Sequence, residues 1–158
     1  MSILETGERR AWKRDALFDE HRTISSFVER EVAATAVLRA WCATAWAAAV
    51  IALGTTGASV LTFFVVTLTV VAVFWLVDFF FSFYGVVYKM RRLQVRDWID
   101  RLPIADIEEI DRWKSPENPF LAITRAQKKR AMRDTITSPA VQGAYALLVA
   151  ATLILLFV

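Results

Sequence analysis

Asp78 is the residue whose type and place most demand a chemical account. It is the only charged side chain between Arg39 and Lys89, in a stretch otherwise rich in Ala, Val, Leu, Phe and Thr. A charge within a bilayer costs roughly 2.5–3.5 kcal/mol on insertion scales, so a partner is expected. Folding the flanking segments about Gly54–Ser59 sets residue 39 level with residue 74. Asp78 then lies about one turn further along, within reach of a long Arg39 side chain. An Asp78–Arg39 ion pair near the inner interface is the expectation. The alternative is that both groups snorkel separately to the headgroups. A proton relay is disfavoured, because the spans hold no second acid and no histidine.

Other reactive groups are few. His21 is the one histidine, on a charged helix, and is expected at the surface. Cys42 is the one cysteine, which excludes an internal disulfide and a cysteine metal cluster. No Ser/His/Asp set, Gly-rich phosphate loop or His/Glu metal spacing occurs. The expectation is a non-enzyme with no catalytic residue, metal or cofactor. The acids Asp106, Glu108, Glu109 and Asp111 could hold a divalent ion. They read better as a solvated face pairing with the basic residues Arg125, Lys128, Lys129, Arg130 and Arg133, a salt-sensitive arrangement. Those five cations and Trp12 are the candidate lipid or partner contacts. Thr55, Ser59, Thr62 and Thr69 form a polar stripe and are candidate pore-lining groups. Bonding to their own backbone carbonyls is the competing role. Ala36, Ala40, Thr44, Ala48 and Ala52 recur every four positions, and Ala140, Ala144 and Ala151 do something similar. Small faces let helices approach closely in lipid, within one chain or between copies.

The elements that must carry these groups follow from charge segregation. All 19 Lys and Arg residues lie within 9–39 and 89–133, in a chain that is 56% hydrophobic and 22% charged. Asp78 alone of the 16 acids falls in the apolar block. Lys and Arg resist translocation, so their segments are expected in the cytoplasm. The expected fold class is all-α, an integral membrane protein with three transmembrane helices. Its amino terminus is inside, its carboxyl terminus outside, and a helical cytoplasmic module lies between spans two and three. The net charge of +3 suits anionic headgroups rather than nucleic acid. The charged amino-terminal stretch has no apolar core of a signal peptide, so the first span is expected to serve as an uncleaved anchor.

Four segments result. Residues 1–25 read as an amphipathic helix with Trp12, Ala16, Leu17 and Phe18 on its apolar side. It lies either in the headgroup plane or on the protein's own cytoplasmic part. Ser25 and Ser26 are expected to interrupt it, with Ser26 to Glu29 as a capping box opening a new helix. Residues 26–88 form a transmembrane hairpin, with Trp41 and Trp75 as interfacial aromatics. Its second arm, Ser59–Tyr88, reaches about 45 Å and outruns the ~30 Å hydrocarbon core. Residues 89–137 form the cytoplasmic module. It comprises a helix to Leu102 with Met90, Leu93, Trp98 and Ile99 on its apolar side, and a stop at Pro103. A repeat of Ile104, Ile107, Ile110 and Trp113 follows, then a turn at 115–119 and a basic helix over 120–136. Ser138–Pro139 opens the last span, 138–158.

Three landmarks carry a resemblance: Ser26–Phe27–Val28–Glu29–Arg30, Phe74–Trp75–Leu76–Val77–Asp78, and Asn118–Pro119–Phe120 before a basic helix and a final span. In this layout the chain resembles small bacterial three-span membrane proteins and, more distantly, SLATT-type proteins. The resemblance implies a membrane-perturbing or pore-forming effector of a bacterial conflict or antiviral defence system, in the inner membrane and oligomeric. Its partners would be the lipid bilayer and either further copies or a membrane or cytoplasmic protein. An accessory subunit of a larger membrane complex is the alternative, docking through the apolar side of 90–114.

Overall fold

The computed structural model describes residues 3–105, 107–113 and 123–155. Asp106, the 115–119 turn, the Asn118–Pro119–Phe120 landmark and the Ile107 side chain lie outside what is described. Five helices follow in order: α1 (Ile3–Thr55), α2 (Val60–Arg101), α3 (Ile107–Arg112), α4 (Arg125–Ile136) and α5 (Pro139–Leu155). No strand occurs among the described residues. Three stretches are long and apolar enough to cross a membrane, within Gly7–Thr55, Val60–Arg101 and Arg125–Leu155.

Local chemistry sets the helix ends. Gly57 takes φ +64°, a left-handed conformation that favours glycine, in the turn after α1. Ser59 Oγ accepts the Thr62 N–H at 3.2 Å and caps α2. α2 stops two residues before Pro103. The Ser138 carbonyl accepts the Val141 and Gln142 N–H groups, and Pro139 needs no donor as the first residue of α5.

The expected interruption at Ser25 and Ser26 is absent: α1 is continuous. Ser26 Oγ donates to the Thr23 carbonyl at 2.8 Å rather than capping a new turn. Such back-bonding lets a serine sit inside a helix, and Leu17, Ile24 and Val28 are buried along one face across this point. Tertiary packing outweighs the weak local stop signal.

The chain divides into two units. The first comprises Met1–Arg30 with Tyr84–Arg130, and the second Glu31–Phe83 with Ala131–Val158. The units part at residues 30, 83 and 130, whereas the segments read from the sequence end at 25, 88 and 137. The amino-terminal segment belongs with residues 84–130 rather than standing alone.

In the first unit Leu17, Ile24 and Val28 pack with Val95, Leu102, Ala105, Ile110 and Trp113. Full burial of such side chains contributes about 1.5–3 kcal/mol each in water. The apolar side expected for residues 1–25 is only partly right. Leu17 is buried, whereas Trp12 is 71% exposed and Phe18 51%. Leu93 and Ile104 are likewise exposed; the buried face of α2 here runs through Val87, Arg91 and Val95, and Leu102 is buried just past its end. Ile104 follows Pro103 in a turn, outside any helix, so its helical spacing has no face to serve. On the side of 90–114 offered as a docking surface, Leu102, Ile110 and Trp113 are buried, Met90, Trp98 and Ile99 half-buried, and Leu93 and Ile104 exposed.

In the second unit Cys42, Val71 and Tyr145 form the centre, with Trp46, Phe74, Trp75, Leu148 and Val149 against it. Hydrocarbon supplies no hydrophobic drive between spans, so close packing and hydrogen bonds hold them. Trp46 Nε1 donates to Thr152 Oγ1 at 2.9 Å, and Tyr145 Oη donates to the Phe74 carbonyl at 3.3 Å.

Candidate functional site

The second unit is organised around a charge pair. α1 presents Arg39 and α2 presents Asp78. Arg39 Nε donates to Asp78 Oδ2 at 2.8 Å, and the same guanidinium reaches Asp78 Oδ1 at 3.3 Å. This two-point contact matches the guanidinium fork to the carboxylate plane. Asp78 is fully buried while the Arg39 side chain keeps 27% exposure. Ser82 Oγ adds a long hydrogen bond to Asp78 Oδ1 at 3.4 Å. The snorkelling alternative fails for Asp78, because a fully buried carboxylate does not reach headgroups.

α5 is tied to this hairpin by its own polar contacts. Trp75 Nε1 donates to Gln142 Oε1 at 3.3 Å, and Gln142 Nε2 donates to the Ile136 carbonyl at 2.9 Å. Trp75 also stacks on Phe79, with centroids 5.8 Å apart. Trp41, its proposed counterpart in an aromatic belt, is 65% exposed.

A second buried charge sits in the first unit, and the sequence reading missed it. Arg91 is 1% exposed and donates from Nε to Glu20 Oε1 at 2.8 Å. It also donates to Gln94 Oε1 at 2.9 Å and lies 4.6 Å from the centre of the Trp98 ring. Trp98 stacks on Trp113, with centroids 5.7 Å apart and planes 7° from parallel. The guanidinium thus has a counter-ion, a neutral acceptor and a π-face, which together offset its desolvation. The available signal was position: Arg91 falls four residues from both Val87 and Val95 on one helix face.

Lys13 and Arg10 close the edge of this core. Lys13 Nζ donates to the Trp113 carbonyl, and an Arg10 terminal nitrogen donates to the Ala105 carbonyl at 3.1 Å. Burial lowers the Lys13 ammonium pKa from 10.5, opposed by Asp111 and Glu20 and reinforced by Arg91. Asp111 pairs with Arg9 at 3.8 Å, and Glu108 with Arg112 one turn along at 3.6 Å. No group of three or more His, Cys, Asp or Glu that could hold a metal occurs among the described residues. His21 is half-buried rather than at the open surface.

The pore-lining candidates are all exposed, with their hydroxyls engaged locally. Thr55 and Thr69 donate to the Ala52 and Val65 carbonyls at 3.0 and 2.7 Å. Ser59 and Thr62 bond each other at 2.8 Å. Thr69 lies two turns beyond Thr62 on α2, and Thr55 ends α1. Ala36, Ala40, Thr44, Ala48 and Ala52 are all exposed, so that face of α1 makes little contact within the chain. On α4, Arg125, Lys129, Arg130 and Arg133 are exposed and Lys128 is half-buried.

No protein-family model matches the chain, and no curated protein or solved structure matches it.

Proposed function

We propose that the chain is a non-enzymatic, self-associating protein of the bacterial cytoplasmic membrane, with the amino terminus inside and the carboxyl terminus outside. In this reading the charged unit receives a signal in the cytoplasm. The apolar unit answers by changing its packing, opening a polar path or thinning the bilayer. One observation carries the reading: α1 and α2 are uninterrupted helices that each contribute residues to both units. No loop separates the units along either helix. Two features support self-association and orientation. The small-residue face of α1 is open to a second copy, and every cation but Arg30 and Arg39 lies in the segments assigned to the cytoplasm, 1–25 and 89–137. The likeness to SLATT-type proteins extends the reading to a conflict or antiviral defence role.

The test is induced expression in a bacterial host loaded with a membrane-potential dye, paired with reporters fused after Val158 and inserted beside Thr56. Depolarisation on triggering, with both reporters external, is the expected result. A cytosolic Val158 reporter overturns the topology. Unchanged potential under every trigger, in cells where the protein is inserted, overturns the effector reading.

A further inference from the structure

Asp78 faces donors from α1, α2 and α5. Arg39 of α1 gives its carboxylate one short bond, from Nε to Oδ2 at 2.8 Å, and one long bond to Oδ1 at 3.3 Å. Ser82 of α2 adds a second long contact to Oδ1 at 3.4 Å. From α5 the Tyr145 hydroxyl donates to the Phe74 carbonyl at 3.3 Å and faces the Asp78 carboxylate as a second acceptor. The Cys42 thiol of α1 also faces Asp78 and is a weak donor. Asp78, Cys42 and Tyr145 are all buried, so none of them turns to solvent for a partner.

Two of these contacts are longer than their chemistry prefers. A hydroxyl donating to oxygen favours about 2.5–3.0 Å, and about 2.5–2.7 Å when the oxygen is a carboxylate. Tyr145 meets its carbonyl at 3.3 Å, and the bonds from Arg39 and Ser82 to Oδ1 are 3.3 and 3.4 Å. Moving the Tyr145 hydroxyl from carbonyl to carboxylate exchanges a long neutral bond for a charge-assisted one, roughly twice as strong. Arg39 stands against the move, because it already neutralises the carboxylate. It keeps 27% exposure on a flexible stem and is the partner able to leave, whereas Asp78 has no exposure.

α5 is also anchored unevenly. Trp46 of α1 donates to Thr152 Oγ1 at 2.9 Å, whereas Trp75 reaches Gln142 Oε1 only at 3.3 Å. Tyr145 lies one turn from Gln142. The Gln142–Tyr145 end of α5 is the looser one, and Thr152 is the fixed point about which it shifts.

We propose that Asp78 is a two-position switch. It pairs with Arg39 in the arrangement described, and with Tyr145 once Arg39 turns away, which draws the Gln142–Tyr145 end of α5 toward α2. This names the packing change invoked above and rests on that reading for its use in the cell, whereas the exchange itself rests on the contacts of Asp78.

The purified full chain in mixed micelles tests this, with its tyrosines isotope-labelled at the ring carbon that bears the hydroxyl. Tyr84, Tyr88 and Tyr145 give the magnetic-resonance signals, and Tyr145→Phe identifies the one of interest. Arg39→Gln should displace the Tyr145 resonance and leave the other two in place. Adding Asp78→Asn should return it toward its wild-type position, because the carboxylate is gone. Unfolding of the same samples gives a second readout. Tyr145→Phe should lower the folding constant about tenfold more in the Arg39→Gln background than in the wild type, the margin between a hydrogen bond to a charged group and one to a neutral carbonyl. Should Arg39→Gln fail to fold, Arg39→Lys takes its place; it keeps the charge, loses the two-point hold and should displace the resonance less, in the same direction. A Tyr145 resonance that ignores both Arg39 variants overturns the exchange. So does a displacement that survives Asp78→Asn, which assigns it to general loosening of the helices. An exchange seen in micelles, in a chain that never depolarises cells, upholds the switch and overturns the effector reading.

Discussion

Removing one partner of the Arg39–Asp78 pair should cost different amounts depending on which partner goes. Arg39→Gln leaves Asp78, which has no exposure, without its counter-ion. Ser82 Oγ at 3.4 Å is a poor substitute. Breaking a buried pair in this way costs about 3–5 kcal/mol. Asp78→Asn instead leaves a guanidinium that is already 27% exposed and sits on a flexible stem able to turn toward headgroups. Its loss should be nearer the ~1–3 kcal/mol of an unsatisfied polar group. The double change restores a neutral Gln–Asn contact, so the two losses should fall short of adding by about 0.5–3 kcal/mol. The assay is reversible unfolding of the purified full chain in mixed micelles, followed by helical circular dichroism. Arg39→Gln should be the least stable of the three variants. Equal single losses that add without coupling would refute the claim that burial at Asp78, rather than the pair in general, sets the cost.

Three further outcomes follow from named contacts. Glu20→Gln removes the carboxylate that pairs with the buried Arg91 guanidinium and should cost about 3–5 kcal/mol, read by thermal unfolding. A loss under the ~0.5 kcal/mol typical of surface changes would mean that the other contacts of Arg91 suffice. Thr152→Val removes the acceptor of Trp46 Nε1 and should cost about 0.6–2 kcal/mol, with a shift in tryptophan emission; no shift would place that bond elsewhere. Lys13 predicts a pH dependence with a definite sign. Its folded pKa lies below 10.5, so in the window beneath that value the unfolded chain holds more protons. Stability from this group therefore rises with pH as the window is crossed. The stability of the wild type relative to Lys13→Met should rise as pH climbs toward 10.5, and a gap that ignores pH would contradict the assignment.

Much of the second unit was readable because its signals are local or compositional. The hairpin turn, the start of α2 and the Ser138–Pro139 opening of α5 each rest on a few adjacent residues. Arg39 and Asp78 stood out because a charge in an apolar stretch is conspicuous. The first unit was harder to read. Leu17, Ile24 and Val28 are buried while Trp12 and Phe18 are exposed, yet each set is apolar on the same helix. Only the placement of α2 and α3 selects between them. Arg91 does not stand out among the chain's 19 cations, because its partner Glu20 lies 71 positions away.

The amino-acid sequence by itself determined where the chain can be dehydrated. Transfer cost is summed residue by residue, so three long apolar stretches and two charged ones are set before any packing occurs. Tertiary structure decided which of the many charges lose their water. Glu20 and Arg91 sit among similar side chains, and their burial depends on a counter-ion arriving from a distant part of the chain at hydrogen-bond range. It also decided that α1 continues past Ser26. A helix gains more from an uninterrupted buried face than a lone serine cap returns, and that face exists only once its neighbours are in place.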